Sequence, residues 1–582
     1  MVDTVGNLTR RVKLNVEFRG SRGEIGARKM RIKRASGFVT LAVAASLVLV
    51  GCGGDSSSTE SPEAGAATDA TATAEASEDG GQSTTVTMAW GNVASQLDPS
   101  VFTGLADVYN MAQYCTTLIK YDPSVAADTK TFLPEDVIGD LAASWEADAT
   151  GTSYTITLRE GVNSSWGNPL TSTDVEWSFD RMLAGSPIVG GILLPIANVD
   201  KENPIEVIDD LTFKMNLVKP SAVGIAVLTH PTMCILDSVK VEEMATAEDP
   251  WGAEWLGTNT ASYGPYVVDS IDPGKEIRYS AMPGYFGTPP YFQNAIVRAV
   301  PEGANRTQLL LANEVDLITD TPFDKLAQIA ESDNAQVLLT SDVNRHTLSL
   351  NTKDPQLADP RVRKAISLAI NRDAFLGTIY AGYADPALDG LPSAMNAPAS
   401  DRPNTYDVEQ AKALLAEAGA EGMTLQITTN NGRPGAFAED LGRLLVADLI
   451  AVGINATLNP IASEADFEKA VGEKSLQSWL YTERPAVADA GYIFNLYLGS
   501  TSFLNNTGFA NEEFDGYVQT IVSTDPGPER DAAIAAAQNM VQDLVPSVYL
   551  AEASDIAAAV NDIKGYNLYP HGATLIGELS RG

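Results

Sequence analysis

Leu141-Ala142-Ala143-Ser144-Trp145-Glu146 leads into Tyr154-Thr155-Ile156-Thr157-Leu158-Arg159-Glu160-Gly161-Val162. Pro169-Leu170-Thr171-Ser172-Thr173-Asp174-Val175-Glu176-Trp177-Ser178 follows. Tyr154 to Leu158 alternates large apolar side chains with threonine, the period of a strand with one buried face. Arg159 to Val162 turns the chain. Asp174 or Thr173 is placed to cap a helix carrying Val175, Phe179 and Met182.

The same logic extends outward. Val86, Met88 and Trp90 alternate within a strand from Thr85. Leu97-Asp98-Pro99 comes next, then a helix through Cys115 to Leu118. Phe213, Met215 and Leu217 mark another strand. Tyr266 to Val268 and Ile277 to Tyr279 flank the turn residues Asp272-Pro273-Gly274, as in a hairpin. Asp359 caps a helix with Pro360 at its first position. Its apolar face is Val362, Ala365, Ile366, Ala369 and Ile370. Asp407 and Gln410 have capping-box spacing, and Gly419 closes that helix. Leu441, Leu444, Leu445 and Leu449 form a further face, closed by Gly453. Helices followed by short strands, Leu425 to Thr428 and Ile454 to Leu458, indicate an α/β lobe.

The ordered set of motifs resembles the signature of the family-5 bacterial solute-binding proteins. These are the peptide-, nickel- and oligosaccharide-binding components of ABC importers. Leu97-Asp98-Pro99, Tyr263-Gly264-Pro265-Tyr266, Leu350-Asn351-Thr352 and Asp359-Pro360-Arg361-Val362-Arg363-Lys364-Ala365 all occur in the expected order. Many members have an aromatic-x-Asp-Gly before the Pro-Leu-Thr stretch. Here Ser164-Ser165-Trp166-Gly167-Asn168 stands instead, so no relative's solute transfers directly.

The resemblance implies an α/β fold of two lobes, periplasmic-binding-protein-like (type II, class C), with a hinge and an inter-lobe ligand cleft. The first lobe would take 84–300, with 119–201 as a subdomain, and 546–582 on the return. The second would take 301–545. The family works without a cofactor or catalysis. Its partners are a small-molecule or peptide ligand and ABC permease subunits with cytoplasmic ATPases. A monomer is expected.

The N-terminus has the parts of an export signal. Arg28-Lys29-Met30-Arg31-Ile32-Lys33-Arg34 precedes an apolar run from Gly37 to Val50, and Leu49-Val50-Gly51-Cys52 ends it. The run is shorter than the ~20 residues of a permanent span. The cysteine resembles that of a lipobox, so residues 1–51 are expected to be removed and Cys52 lipidated. Met30 is read as the initiator, with residues 1–29 either an over-extended start or a long n-region. Residues 53–83 are Gly, Ser, Thr, Ala, Glu and Asp almost throughout, a composition that does not fold alone. Such a stalk holds the body roughly 30 Å from the membrane. The protein is expected on the extracytoplasmic face of the membrane.

Removing residues 1–51 takes away ten Lys/Arg and three Asp/Glu, leaving 29 basic and 72 acidic residues and a net charge of −43. That surface excludes nucleic acid as a partner. Cys115 and Cys234 either pair, in an oxidising compartment, or remain buried thiols. His230, His346 and His571 are widely spaced and are read as structural, with no metal site.

Inter-lobe clefts take small molecules between aromatic walls and a few fixed polar groups. Trp479-Leu480-Tyr481-Thr482-Glu483-Arg484-Pro485, with Asp489 behind, is similar to the family stretch Trp-x-x-Asp-x-x-Asp-Pro. In peptide binders of the family its acid takes the ligand's α-ammonium, and by count that acid is Glu483. Arg484 would pair with Glu483 or take a ligand carboxylate. Trp90, Trp166 and Tyr263 are candidate cleft walls. Asn351, after its strand, and Arg433, on a Gly/Pro loop, are candidate polar contacts.

Three functions compete. The leading one is a lipid-anchored importer receptor, most naturally for a short peptide. A sugar or other solute, or a surface sensor without transport, would use the same fold. An exported hydrolase is the least supported, because the chain has neither Gly-x-Ser-x-Gly nor His-Glu-x-x-His.

Overall fold

The computed structural model describes residues 84–582 apart from 102–103, 126–131, 341–342 and 396. The signal segment with Met30, Cys52 and the stalk lie outside the described residues. Strand Thr85–Trp90 sits inside a seven-stranded sheet. Asn294–Ala299 and Leu317–Ile318 flank it, both parallel to it. Glu276–Ala281 and Tyr266–Asp272 extend one side as the hairpin around Asp272-Pro273-Gly274. Asp555–Val560 and Ala335–Thr340 complete the other side.

A second, six-stranded sheet has the order Ala384–Pro386, Ser547–Ala553, Arg345–Leu350, Ser478–Glu483, Thr424–Thr429, Asn455–Pro460. One face of it, with Leu348, Leu350, Leu480 and Val548, shares an apolar core with Ala365 and Ile366 of helix Pro360–Ala369 and Leu441 and Leu445 of helix Ala438–Ala451. A third, four-stranded antiparallel sheet joins Ala142–Ala147, Ser153–Leu158, Thr212–Asn216 and Ile205–Asp209. Helix Ser172–Gly185 buries Val175, Phe179 and Met182 with Ile156, Phe213 and Met215 of that sheet. Its cap is Thr171 rather than Thr173 or Asp174. Asp174, at the third helical position, reaches back to the Thr171 N–H at 2.8 Å in a capping box.

Strand pairing moves the expected lobe limits. Leu317–Ile318 and Ala335–Thr340 belong to the first sheet, so the second lobe does not begin at Pro301. Ser547–Ala553 pairs with Arg345–Leu350, so the return does not begin at 546. The chain crosses between Thr340 and Arg345 and again between Ala553 and Asp555. The subdomain also outruns 201, since Ile205–Asp209 and Thr212–Asn216 complete its sheet.

The family motifs hold the frame. Asp98 pairs with Arg181 at 2.7 Å, both side chains almost wholly buried, and also accepts the Ser100 N–H at 2.9 Å. A Cβ on Gly264 would stand 2.2 Å from the Tyr114 carbonyl oxygen, so only glycine fits there. Asp359 accepts the Arg361 N–H at 2.8 Å and caps its helix. Arg363 donates to the carbonyls of Leu357, Ala358, Leu544 and Val545, which satisfies the end of helix Pro528–Leu544. Cys115 and Cys234 are joined as a disulfide, Cα atoms 5.2 Å apart.

The subdomain also meets the second lobe. One continuous apolar core takes Leu194, Val223 and Val227 from the subdomain and Ile493, Val518, Ile521 and Val522 from the second lobe. Within it the Ala222 N–H donates to the Val522 carbonyl at 2.9 Å. The Tyr121 hydroxyl donates to the Ala486 carbonyl at 3.2 Å. Among the described residues no single helix is long and apolar enough to cross a membrane.

Candidate functional site

In the second sheet Arg345 stands opposite Glu483, Thr347 opposite Tyr481 and Ser349 opposite Trp479. Side chains alternate across a strand, so these six share the face turned away from the Leu348–Leu350–Leu480 core. Tyr497, Leu504, Asn506 and Thr507 complete a cavity there with Ser349, Trp479, Tyr481 and Glu483. Glu483 is the one charged side chain in that lining, and it is held in an internal pair with Arg345 behind it. Arg345 Nη2 lies 2.5 Å from Glu483 Oε2, and the two side chains are 1% and 5% exposed. Arg345 also donates to the Gly390 carbonyl, and its guanidinium lies 4.8 Å from the centre of the Tyr549 ring. Burial pushes the Glu483 carboxyl above its ordinary range, against the opposing pull of Arg345. The buried Trp479 indole N–H has no hydrogen-bond partner among the described residues.

The other expected residues are distributed as follows. Arg484 pairs with Asp555, not with its neighbour Glu483. Asp555 opens a strand of the first sheet, so this pair sits at a crossing between the lobes. Arg433 donates to the Tyr481 hydroxyl at 2.7 Å and pairs with Glu468 at 3.3 Å, bracing that wall from behind. Asp489 caps helix Ala490–Leu498 through the Tyr492 N–H and pairs with Arg530, which commits it to the frame. Asn351 is committed likewise, donating to the carbonyls of Lys474 and Leu476 at 3.0 Å. Tyr263 is wholly buried in the core. Trp166 is half-exposed, its indole bonded to the Thr260 carbonyl and its ring beneath Lys240. Trp90 lines a separate cavity in the first lobe.

Arg345 is the functional candidate that motif reading misses. The alternation of Arg345, Thr347 and Ser349 with Leu348 and Leu350 carries the signal. Burial keeps the histidines uncharged. His346, bonded to the Tyr380 hydroxyl at 2.7 Å, and His230 are each pushed down to about 4. Among the described residues no group of three His, Cys, Asp or Glu side chains is placed to hold a metal ion.

The family profile described as "Bacterial extracellular solute-binding proteins, family 5 Middle" matches residues 136–505. The chain belongs to this family. Family members are extracytoplasmic receptors of ABC importers and are not enzymes. The chain is 27% identical over 470 residues to heme-binding protein A of Haemophilus influenzae, covering 75% of this chain and 83% of that protein. It is 27% identical over 459 residues to the dipeptide-binding protein of Escherichia coli, covering 75% and 85%. Its fold is that of the periplasmic binding protein DppA from Helicobacter pylori in complex with peptide STSA. The TM-score is 0.75 at 22% identity, over 85% of this chain and 98% of that one. The family-5 likeness and the strand pairing together make this a mixed α/β protein of two lobes.

Proposed function

We propose that this family-5 receptor is anchored through a lipidated Cys52, binds a short peptide or similar zwitterion, and delivers it to its permease. The buried Arg345–Glu483 pair carries this reading. Taking both charges out of water is costly unless each stays paired. A zwitterion brings an ammonium for Glu483 and a carboxylate for Arg345, so it can replace the internal pair without leaving a charge bare. Trp479 and Tyr481 provide the aromatic walls. Lobe closure then follows from solute contacts that differ between the open and closed states. The Trp479 N–H and the Ser349 hydroxyl, both neutral, favour a sugar as the second reading.

Calorimetric titration with short peptides tests the first. Glu483→Gln is expected to weaken peptides with a free N-terminus by ~1.5 kcal/mol or more, the scale of a charged hydrogen bond. Equal affinity in the variant sinks the assignment. Glu483 must be ionised to hold an ammonium, and its carboxyl titrates above the ordinary value of 4.5. Peptide affinity is therefore expected to fall on acidification from pH 7, earlier than a free glutamate would dictate. A sugar would show no such fall.

The anchor has its own test. Cys52→Ser is expected to stop lipid attachment, and labelled fatty acid should then be absent from the protein. Retention of the label in the variant would place the lipid elsewhere.

A further inference from the structure

Four of the seven tryptophans, Trp166, Trp177, Trp251 and Trp255, line neither the site at Glu483 nor the cavity at Trp90. They stand in two pairs, with ring centres 5.8 Å apart for Trp166 and Trp255 and 5.4 Å for Trp177 and Trp251. Trp166 lies in the stretch 164–168 that departs from the family's aromatic-x-Asp-Gly. One buried carboxylate fixes its loop. Asp237 is wholly buried and accepts from the Ser164 hydroxyl and from the Asn168 amide at 3.0 Å. Ser164 Oγ in turn accepts the Trp166 backbone N–H at 3.1 Å, and the Trp166 indole N–H donates to the Thr260 carbonyl at 2.9 Å. Asp237 also caps helix Ser238–Met244 through the Lys240 N–H at 2.9 Å. Loop and helix are therefore pinned to the same group.

The face they present is apolar and open. Trp166 is 50% exposed, Val239 59% and Met244 37%. A rigid ring loses little freedom when a partner covers it, which is why aromatic anchors dominate interfaces. The rim is acidic. Residues 239–258 carry Glu242, Glu243, Glu248, Asp249 and Glu254 against Lys240 alone. Lys240 is already committed, its Nζ 4.3 Å from the Trp166 ring centre and 3.0 Å from Glu243. That internal contact shows the ring taking a cation. The surrounding charge repels a second copy of the same face, nucleic acid and anionic headgroups. A neutral sugar gains nothing from it. An arginine answers both features, because guanidinium stacks on indole and pairs with carboxylates.

We propose that the face formed by Trp166, Val239 and Met244 docks an arginine-bearing segment of a partner protein, outside the solute site. The guanidinium stacks on the exposed part of the Trp166 ring and pairs with the acidic rim. An aliphatic neighbour on the same segment lies against Val239 and Met244. The hydrogen bonds around Asp237 hold the ring ready, so little ordering is needed on contact.

The test titrates the full-length protein with acetyl-Leu-Arg-Leu-Arg-Leu-amide, whose blocked ends remove the zwitterion read at Glu483. Saturable binding is expected, unchanged in Glu483→Gln and weakened about tenfold in Trp166→Ala, the scale of an interface anchor. Trp166→Ala leaves every charge in place. Equal binding in that variant would mark a diffuse pull of the acidic surface and overturn the site. Should Trp166→Ala lower the melting temperature, Val239→Ser carries the comparison, with a loss of several-fold expected. The same peptide with glutamine for arginine is expected to bind far more weakly, and equal binding would overturn the cationic partner. Loss of binding in Glu483→Gln would place the peptide in the solute site and overturn the docking face. Chitotetraose bound in its stead, and lost in Trp166→Ala, would assign the face to carbohydrate. A wild type that does not bind the arginine peptide overturns the proposal.

Discussion

Replacing both Cys115 and Cys234 by alanine is expected to destabilise the protein by about 4–5 kcal/mol, the chain-entropy value for a loop of roughly a hundred residues. The bond spans 119 residues, from the end of helix Leu105–Tyr114 to the far side of the subdomain. The whole four-stranded sheet and helix Ser172–Gly185 lie inside that loop. Without the bond the unfolded chain gains freedom that the folded chain does not. Denaturant titration of wild type and the double variant reads the difference directly. A midpoint unchanged by the double replacement would show that the enclosed subdomain holds its place without the bond.

Asp98→Ala is expected to cost about 3–5 kcal/mol, because it leaves the Arg181 guanidinium buried without its counter-charge. Arg181 keeps the Ser100 hydroxyl at 2.6 Å and the Trp251 carbonyl at 3.0 Å, neither of which carries a negative charge. Replacing both partners, Asp98→Leu with Arg181→Met, is expected to recover most of the loss. Melting curves for Asp98→Leu alone, Arg181→Met alone and the double variant close the cycle. If the double variant is no better than Asp98→Ala alone, the pair is not the source of the cost.

What is legible in the chain is local. Val86, Met88 and Trp90 announce their strand by alternation. Asp359 and Pro360 announce their helix by capping chemistry, and Asp272-Pro273-Gly274 announces a turn. Each signal lies within a few residues. The lobe limits are not local. Pro301 follows the end of a strand and resembles a linker, yet Leu317–Ile318 returns to the same sheet to pair with Thr85–Trp90. The candidate site divides in the same way. Trp479, Tyr481 and Glu483 are visible in one run of sequence. Arg345 finds Glu483 across 138 residues, a pairing that only the strand register supplies. Asp489 shows the opposite failure: a motif-like acid beside the site that serves as a helix cap.

The seam between the subdomain and the second lobe bears on how affinity is to be understood. Ile521 and Val522 are as deeply buried there as any core side chain, and Ala222 is tied to Val522 through the backbone. Opening the lobes by parting that seam exposes apolar surface at ~25 cal/mol per Å². That term is independent of which solute sits inside. A cost of that kind would slow escape of any bound molecule alike, and so lengthen residence without sharpening choice. Discrimination is left to the site at Glu483, whereas the ease with which the lobes would part depends on a contact outside that site.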